Sequence, residues 1–373
     1  MRAASYFAVR ILLVVLVAAC VDPIQFNASS PSFLLVVEGR IDDGPGPYEL
    51  QLSRSIPVDA DSIYRLPVQN AKVVLFDDTG LSDQFVEIAP GSYKTTGAIR
   101  AQSGRSYFVK IETADGKLFE SEPDPLLPVG EIEEIRYEFE ERTSVRPFGE
   151  VRADVFNIFI DASAGVNGFV RWRFTGYYEA ETYPSLHLTE NPPYTPYKNP
   201  WPCSGYKLVG GPIGSGGLLE RFGDCSCCSC WARQDEDVIQ LSDSDLVTNG
   251  RFRNIKVGEV PINNATFFKK YLVLVEQMSL SPSTFRTLQL IRTQKTGAAS
   301  LFQPPSGEIR GNVRAVNNTD PVVGIVWSTS ISRKKIFIQP DDLPYKITPI
   351  DFITLPCQNF YENASNQPPV DWE

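Results

Sequence analysis

Short runs in which apolar and polar residues alternate recur along most of this chain, and turn-forming residues separate them. Within residues 106–112, Tyr107, Val109 and Ile111 share one face, which is the two-residue period of a half-buried strand. Asp115-Gly116 then predicts a hairpin turn into the next strand. Alternating or continuous apolar runs predict strands over residues 33–40, 47–53, 71–77, 106–112, 117–121, 134–140, 155–161, 169–174, 272–275, 324–330 and 335–339. We therefore predict an all-β fold.

One segment has a helical pattern instead. Ser281 is a natural N-cap, and Pro282 suits the first position of a helix. Gly297 stands where a C-terminal cap would end that helix. Its apolar positions recur every three residues, at Phe285, Leu288 and Ile291. The pattern predicts one short helix in an otherwise β-rich chain.

Three prolines divide the predicted strands into two groups. Pro123, Pro125 and Pro128 mark the boundary. The strand spacing before it predicts an Ig/transthyretin-like β-sandwich domain over residues 33–125. After it we predict a larger β-rich domain over residues 126–373, which carries a cysteine cluster and a proline-rich aromatic loop. Two domains also suit the length, since one domain typically has about 150 residues.

The first nineteen residues have the composition of an export signal. Arg2 and Arg10 precede or begin an uncharged apolar run, which ends Val17-Ala18-Ala19 directly before Cys20. This ending resembles the bacterial lipobox, in which the cysteine is acylated and becomes the mature N-terminus. An apolar run of about ten residues is too short to span a bilayer, which needs roughly 20.

These features predict a lipid-anchored protein. We assign residues 1–19 to a lipoprotein signal peptide, Cys20 to lipidation and residues 20–32 to a tether. Two or more acyl chains hold a protein stably on a membrane, so the lipid anchor alone would attach the mature chain.

The charge balance narrows the choice of partners. The chain has 45 Asp and Glu, 35 Lys and Arg, and one His, which gives a formal net charge of −10. Removing the signal peptide with its two arginines lowers that charge to −12. Such acidity argues against nucleic acid as a partner and against peripheral binding to an anionic membrane. Its simplest consequence is solubility.

Six cysteines remain after Cys20. An even number in an exported chain predicts structural disulfides, although six cysteines allow 15 pairings. The Cys-Ser-Cys-Cys-Ser-Cys cluster holds two adjacent cysteines that pair poorly with each other, so it should reach distant partners, of which Cys203 and Cys357 are the obvious ones. The candidates are Cys203, Cys225, Cys227, Cys228, Cys230 and Cys357. Zinc or copper(I) binding is an alternative, but the spacing does not match the usual two pairs of ligands, and the C-x-x-C at 227–230 lacks a thioredoxin-like context.

The sequence marks no catalytic device. His187 is the only histidine, and a Ser-His-Asp or Cys-His device would have to use it. We expect it to be an exposed loop residue, because no Gly-x-Ser-x-Gly motif marks a nucleophile. Two carboxylates about 5–10 Å apart would leave no sequence signature, so hydrolysis stays an alternative. We predict no catalytic residue, no metal and no cofactor.

A proline-rich aromatic loop over residues 183–206 is the best candidate for binding. It holds six prolines, so we predict a long loop without regular sheet. Rigid aromatic side chains make good contacts with sugars or proteins, and the alternative is that they pack onto the sheet as a lid. The candidate binding residues are Tyr183, Tyr194, Tyr197, Trp201 and Tyr206.

Several stretches, in order, resemble the Bacteroidota lipoprotein family DUF4249, a domain of unknown function. They are Cys20-Val21-Asp22-Pro23, Leu35-Val36-Val37-Glu38-Gly39 with Ile41, Asp115-Gly116-Lys117, Glu120-Ser121, Trp172-Arg173-Phe174, Cys230-Trp231, Ser300-Leu301-Phe302 and Gly311-Asn312-Val313. The resemblance implies an exported lipoprotein of the outer membrane, often encoded beside TonB-dependent receptors. It supplies no catalytic residues and leaves open whether the protein faces the periplasm or the cell exterior.

The predicted function is therefore non-enzymatic. We expect an outer-membrane-anchored lipoprotein, bound to the membrane through its lipid, that acts as an accessory or binding component of a TonB-dependent nutrient uptake system. The transporter partner rests on the resemblance alone, and no ligand is specified. The alternatives are a secreted, lipid-anchored hydrolase and a structural or adhesive envelope protein.

Overall fold

A computed structural model describes most of the chain after the predicted tether. The described residues are 34–55, 66–147, 149–191, 195–210, 217–242, 246–297, 311–348 and 352–373. The predicted signal peptide, Cys20 and the tether lie outside them. No helix in this part of the chain combines the length and the apolar composition needed to cross a bilayer.

The all-β prediction is confirmed, and so is the short helix. In chain order the strands are β1 (Leu35–Asp42), β2 (Glu49–Arg54), β3 (Leu66–Pro67), β4 (Lys72–Asp77), β5 (Ser82–Ala89), β6 (Ser92–Thr95), β7 (Ser106–Glu112), β8 (Leu118–Ser121), β9 (Asp124–Pro125), β10 (Ile132–Glu140), β11 (Thr143–Arg146), β12 (Gly149–Arg152), β13 (Val155–Ser163), β14 (Val170–Glu181), β15 (Leu188–Asn191), β16 (Thr195–Lys198), β17 (Tyr206–Val209), β18 (Leu218–Arg221), β19 (Ser229–Asp235), β20 (Gln240–Leu241), β21 (Val247–Thr248), β22 (Arg251–Pro261), β23 (Tyr271–Ser279), β24 (Val313–Ala315), β25 (Val322–Thr329) and β26 (Ile331–Ile338). The helices are α1 (Pro282–Gly297) and α2 (Cys357–Phe360).

The first sheet has the strand order β24-β8-β7-β4-β5-β6-β2-β1-β25, with β3 paired to β2 and β9 to β7. Strand β5 belongs to both halves of this sheet, because its residues 82–84 pair with β4 and its residues 85–89 pair with β6. Alternate side chains of both halves, such as Val37 on β1 and Val109 on β7, are buried in one shared core. The first sheet therefore wraps around its own apolar side chains.

Strands from the far end of the sequence complete this first sheet. Strand β25 pairs in parallel with β1, and β24 pairs with β8. Glycine is needed at 324, where φ is +124° and a Cβ atom would overlap the carbonyl oxygen of Val37 on β1. The boundary predicted near Pro123–Pro128 stays a prediction, and the first sheet takes strands from both sides of it.

Two further sheets pack face to face. One has the order β10-β13-β22-β21, and the other has the order β19-β14-β23-β26 with β20 paired to β14. Ile158 on β13, Phe174 on β14 and Val273 on β23 belong to the core between them. The two-residue period of β14 buries Trp172 and Phe174 in this core, so the arginines between and beside them face the other way.

Helix α1 packs between the two groups of strands. Ser281 caps it, since its Oγ accepts the Thr284 N–H at 3.1 Å. Phe285 and Leu288 then pack in a cluster with Ile325 and residues of β23. The period-three stripe predicted for this helix is therefore the face that it buries.

The predicted long loop at 183–206 is only partly irregular. It contains the hairpin β15–β16, in which Asn191 pairs with Thr195 and Glu190 with Pro196, together with two short 3₁₀ turns. A two-stranded ribbon leaves its outer edges without ladder partners, so a proline can sit there without removing a hydrogen bond from the sheet. The proline content alone therefore did not predict the structure of this segment correctly.

Candidate functional site

A cavity of about 590 Å³ lies between the first sheet and the sheet that contains β14 and β26. Its walls come from β1, the turn over residues 44–47, the start of β2, and strands β14, β25 and β26. We call it the arginine cavity because four arginines line it. They are Arg40, Arg171, Arg173 and Arg333.

Strand periodicity explains why charged side chains meet there. On β1, Val37 and Ile41 are buried in the core of the first sheet, so Arg40 and Asp42 point to the opposite side. On β14, Trp172 is buried in the second core, so its neighbours Arg171 and Arg173 point into the cavity. Two half-buried strands thus present their polar faces to each other.

Glu276 on β23 holds two of the arginines. Its side chain is 5 % exposed. Arg173 donates from Nε to Oε2 at 2.5 Å and also contacts that oxygen through Nη2, while Arg333 donates from Nε to Oε1 at 2.7 Å. Burial alone would raise the pKa of Glu276, but Arg173 and Arg333 outweigh it and hold that pKa below its ordinary value. One carboxylate therefore binds two guanidinium groups.

Arg40 lies beside this group with weaker partners. Its Nη2 lies 3.2 Å from Oδ2 of Asp42, and its Nη1 lies 4.0 Å from the sulfur of Met278. Burial first, and then the neighbouring Arg173, lower the pKa of Arg40. The position therefore disfavours positive charge more than water does.

Arg171 forms a separate ion pair with Glu236, and one polar atom of each side chain has no hydrogen-bond partner among the described residues. Arg171 Nη2 contacts Glu236 Oε1, but Arg171 Nε and Glu236 Oε2 are buried without a hydrogen-bond partner among the described residues. Burial raises the pKa of Glu236, although Arg171 opposes the shift. The pair is locally neutral.

Aromatic and apolar side chains complete the cavity wall. Trp327 and Ile325 on β25 are mostly buried but reach its lining. Tyr48 lies under the 44–47 turn, where its hydroxyl donates to the Gly44 carbonyl at 3.3 Å and accepts the Ala101 N–H at 2.7 Å. The cavity can therefore offer both guanidinium donors and carbon surface to a ligand.

None of the predicted aromatic residues whose side chains the structure describes lines this cavity. Tyr183 and Trp201 are half-buried beside the β15–β16 hairpin, and Tyr206 begins β17. Tyr194 lies outside the described residues, and only the backbone of Tyr197 is described, in β16. Binding by these residues stays a prediction.

His187 differs from the exposed loop residue that we expected. It is half-buried, its ring centre lies 5.4 Å from that of Trp201, and its Nδ1 has no hydrogen-bond partner in the described part of the chain. The Asn199 N–H donates to its carbonyl at 2.8 Å, next to the first pair of the β15–β16 hairpin. Among the described side chains, no nucleophile or carboxylate forms a hydrogen bond with the His187 ring.

The six cysteines form three disulfides, as predicted. The pairs are Cys203–Cys227, Cys225–Cys228 and Cys230–Cys357. The cluster does reach outward to Cys203 and to Cys357, and a third bond closes within it. Each thiol that the metal alternative would need is bonded to another sulfur.

The C-terminal tail is fastened by the last of these bonds. Cys357 begins α2, and its bond to Cys230 on β19 is followed by a bridge between Trp231 and Ser365. Trp372 then packs edge-on against both Trp231 and Phe337. The tail therefore packs against β19 and β26, the two edge strands of the sheet that contains β14.

The sequence of this chain matches the profile of one known protein family. The profile of a family described as "Domain of unknown function (DUF4249)" matches residues 21–335, which is most of the chain. The chain belongs to the DUF4249 family. No curated protein matches this DUF4249 chain. Every residue that lines the arginine cavity, from Glu38 to Arg333, lies within the matched span.

Two stretches that carried the DUF4249 resemblance contribute to the arginine cavity. Glu38-Gly39 lies on β1, and Arg173 lies between two core aromatics on β14. The sequence predicted neither as a site residue. The sequence does show arginines alternating with apolar residues on β14. It contains no local pattern that would show that β1 and β26 form the other walls of the same cavity.

Proposed function

We propose that this chain is an exported Bacteroidota lipoprotein, anchored at the outer membrane through Cys20, that binds a ligand in the arginine cavity. We further propose that it serves as an accessory of a TonB-dependent transporter. The observation that carries the binding role is the cavity itself, because a concave site of this size, in which charged side chains converge beside a smaller apolar surface, can hold a small molecule.

The disulfides support the exported location. Three bonds use all six cysteines after Cys20. Such bonds persist in oxidising compartments outside the cytoplasm. They agree with the export signal inferred from residues 1–19, and the first sheet would form the Ig/transthyretin-like part of the mature protein.

The charges favour binding over hydrolysis at this cavity. A hydrolase of the carboxylate-pair type, the alternative that the sequence leaves open, needs two carboxylates with separate roles. Glu276 and Glu236, the buried carboxylates next to the cavity, are each bound to arginine, and Asp42 is paired with Arg40. The arrangement stabilises fixed charges and leaves no described pair of carboxylates to share a proton.

The transporter partner is tested by affinity purification. The full-length chain, purified through a C-terminal tag from gently solubilised membranes of its native host, should recover a large β-barrel protein. A Cys20→Ala chain, which lacks the acylated sulfur, is the matched control and should recover less. Recovery of no barrel from the lipidated chain would contradict the transporter role.

A further inference from the structure

We propose that the arginine cavity binds a small organic carboxylate, and that Arg40, Arg173 and Arg333 hold its carboxylate group. This inference names the ligand class for the binding role proposed above and rests on that role. It does not depend on the lipid anchor or on the transporter.

The first support is the number of unused donors. A guanidinium group has five N–H donors, and Glu276 occupies only part of those of Arg173 and Arg333. Arg333 lines the cavity, is 53 % exposed and uses only Nε on that carboxylate, and its two terminal nitrogens have no hydrogen-bond partner among the described residues. They can donate to a planar carboxylate in two parallel bonds.

The second support is the charge balance at the cavity floor. Asp42 balances Arg40, and the pair of Arg171 with Glu236 is neutral. Glu276 is the described carboxylate bonded to both Arg173 and Arg333, so these three side chains together carry one positive charge in excess, and the exposed Asp43 acts on Arg333 without a hydrogen bond to it. An anion placed among Arg40, Arg173 and Arg333 would remove that excess.

The acidic residues at the cavity rim do not cancel this excess at the floor. Glu49 forms an ion pair with Lys94 at 2.6 Å. Glu38 is exposed, so water screens its charge at the cavity mouth. The floor therefore keeps its preference for an anion, while the rim would repel a ligand that carries many negative charges on all sides.

The third support is the apolar surface beside Arg40, which favours an organic body over a bare inorganic ion. Trp327 and Ile325 give the cavity carbon surface, and Tyr48 lies beneath the turn that borders it. A volume of about 590 Å³ falls in the range of small-molecule sites and far exceeds what phosphate would fill. A carboxylate on a carbon skeleton uses both the donors and this surface.

Isothermal titration calorimetry of the full-length chain in detergent micelles tests the inference. The probes are citrate, malate and gluconate, each at an ionic strength matched with NaCl, and glycerol is the uncharged control. We expect one saturable site for at least one of the carboxylates and no heat of binding for glycerol. Arg333→Gln and Arg40→Gln should each weaken that binding about tenfold, which corresponds to about 1.4 kcal/mol.

Arg286→Gln is the matched control for these substitutions. Arg286 is an exposed residue of α1 that neither lines the cavity nor has an ion pair in the described structure, so its loss should leave the affinity unchanged. Circular dichroism spectra that match the parent would show that each variant folds. Arg333 is half exposed, which makes Arg333→Gln the safer of the two cavity variants.

Three results would overturn the inference. They are the absence of binding for all three carboxylates, binding that survives both cavity substitutions, and inorganic phosphate that binds as tightly as the best carboxylate. Failure of the anchor or of the transporter interaction is distinguishable, because a chain that binds carboxylate without acylation refutes the anchor alone. An acylated chain that recovers a barrel but binds no carboxylate refutes this inference alone.

Discussion

Glu276 is the residue on which the charges of the arginine cavity depend most. It is buried, and it bonds to arginines from two strands that lie on either side of β23. Removal of one partner from a buried ion pair leaves the other charges uncompensated, which costs more than the pair itself contributes. A change at this single position therefore affects both the stability and the shape of the cavity.

We predict that Glu276→Gln, which preserves the side-chain volume, lowers the free energy of unfolding by about 2 kcal/mol in urea at neutral pH. Because Arg173 and Arg333 hold the pKa of Glu276 below its ordinary value of 4.5, the parent loses this contribution as the pH falls. The difference in free energy of unfolding between parent and variant should therefore become smaller below pH 4.5.

The control for Glu276→Gln is Glu220→Gln. Glu220 pairs with Lys207 at 3.3 Å on the exposed β17–β18 ribbon. Exposed pairs contribute little, so this variant should stay within about 0.5 kcal/mol of the parent. Equal losses in the two variants would show that Glu276 has no special role.

The roles of individual residues were harder to predict from the sequence than the fold class or the secondary structure. The alternation on β14 shows that Arg171 and Arg173 share a polar strand face. It does not show that the acid between Arg173 and Arg333 comes from β23, more than a hundred residues later. Ion pairs that cross a sheet have no local pattern, whereas the caps and turns within one element do.

At the scale of elements, the attachment of α1 depends on a buried acid. Asp124 on β9 accepts from Ser281 Oγ at 2.6 Å, from Thr284 Oγ1 at 3.0 Å and from the Ser328 N–H at 2.8 Å. It therefore connects the first sheet to the start of the helix. None of these partners is positively charged, and burial raises the pKa of Asp124 while the three hydrogen bonds oppose the shift.

The sign of this shift predicts a pH dependence. A raised pKa means that the folded state binds the proton more tightly than the unfolded state, whose pKa is near 3.8. The free energy of unfolding therefore falls as the pH rises from 3.8 through the higher pKa of the folded state. Asp124→Asn removes the charge and keeps an oxygen that accepts from Ser281 and Thr284, but its amide nitrogen cannot accept the Ser328 N–H. Its free energy of unfolding in urea should therefore change less between pH 4 and pH 7 than that of the parent.

Asp124→Ala separates the hydrogen bonds from the charge. It removes both, and loss of the bonds to buried donors should lower the free energy of unfolding by about 1–3 kcal/mol at every pH. An asparagine variant whose stability falls from pH 4 to pH 7 as steeply as that of the parent would show that this pH dependence does not come from Asp124.

The disulfides differ in the length of chain that they close. Cys230–Cys357 spans 127 residues and Cys225–Cys228 spans three. The entropy lost by the unfolded chain grows with loop length, so the paired substitution Cys230→Ala with Cys357→Ala should cost about 5 kcal/mol. Cys225→Ala with Cys228→Ala should cost about 2 kcal/mol. Guanidinium unfolding without reductant measures both.

A matching local result is expected at the C-terminal tail. Without the Cys230–Cys357 bond, amide hydrogen exchange in residues 357–373 should accelerate more than exchange in β23. Similar losses of stability in the two paired variants, or unchanged exchange in the tail, would contradict the role of this bond as its fastening.

Elements were largely predictable because their signals are local. The strand over 106–112 matches β7 at both ends, and the capped, periodic segment after Ser281 is α1. Strand β22 was missed, and it is irregular, with Asn254 at a φ of +54° and shifts in its pairing with β13. The alternation that identifies a regular strand fails where a bulge interrupts it.

At the scale of the whole molecule, the decisive contact is the parallel pairing of β1 with β25. It brings Arg40 on β1 close to Met278 on β23, a residue 238 positions away, and so creates the arginine cavity. Parallel pairing of distant strands leaves no turn signal in the sequence. The fold class was for this reason predictable, whereas the cavity was not.

The proposed lipid anchor would also determine the position of the arginine cavity relative to the membrane. The described chain begins at Leu34, a short distance after Cys20, and its first strand lines the cavity. A lipid on Cys20 would therefore hold the arginine cavity near the membrane surface, within reach of a membrane transporter. Anchoring and binding would then act in one compartment.

Mass spectrometry of the N-terminal tryptic peptide tests this arrangement most directly. The mature protein isolated from membranes should yield a peptide that begins at Cys20 and ends at Arg40, with a diacylglycerol thioether on the Cys20 sulfur. Its mass should exceed that of residues 20–40 by two or three acyl chains. A peptide that retains residues before Cys20, or one whose Cys20 carries a free thiol, would contradict the lipid-anchored function.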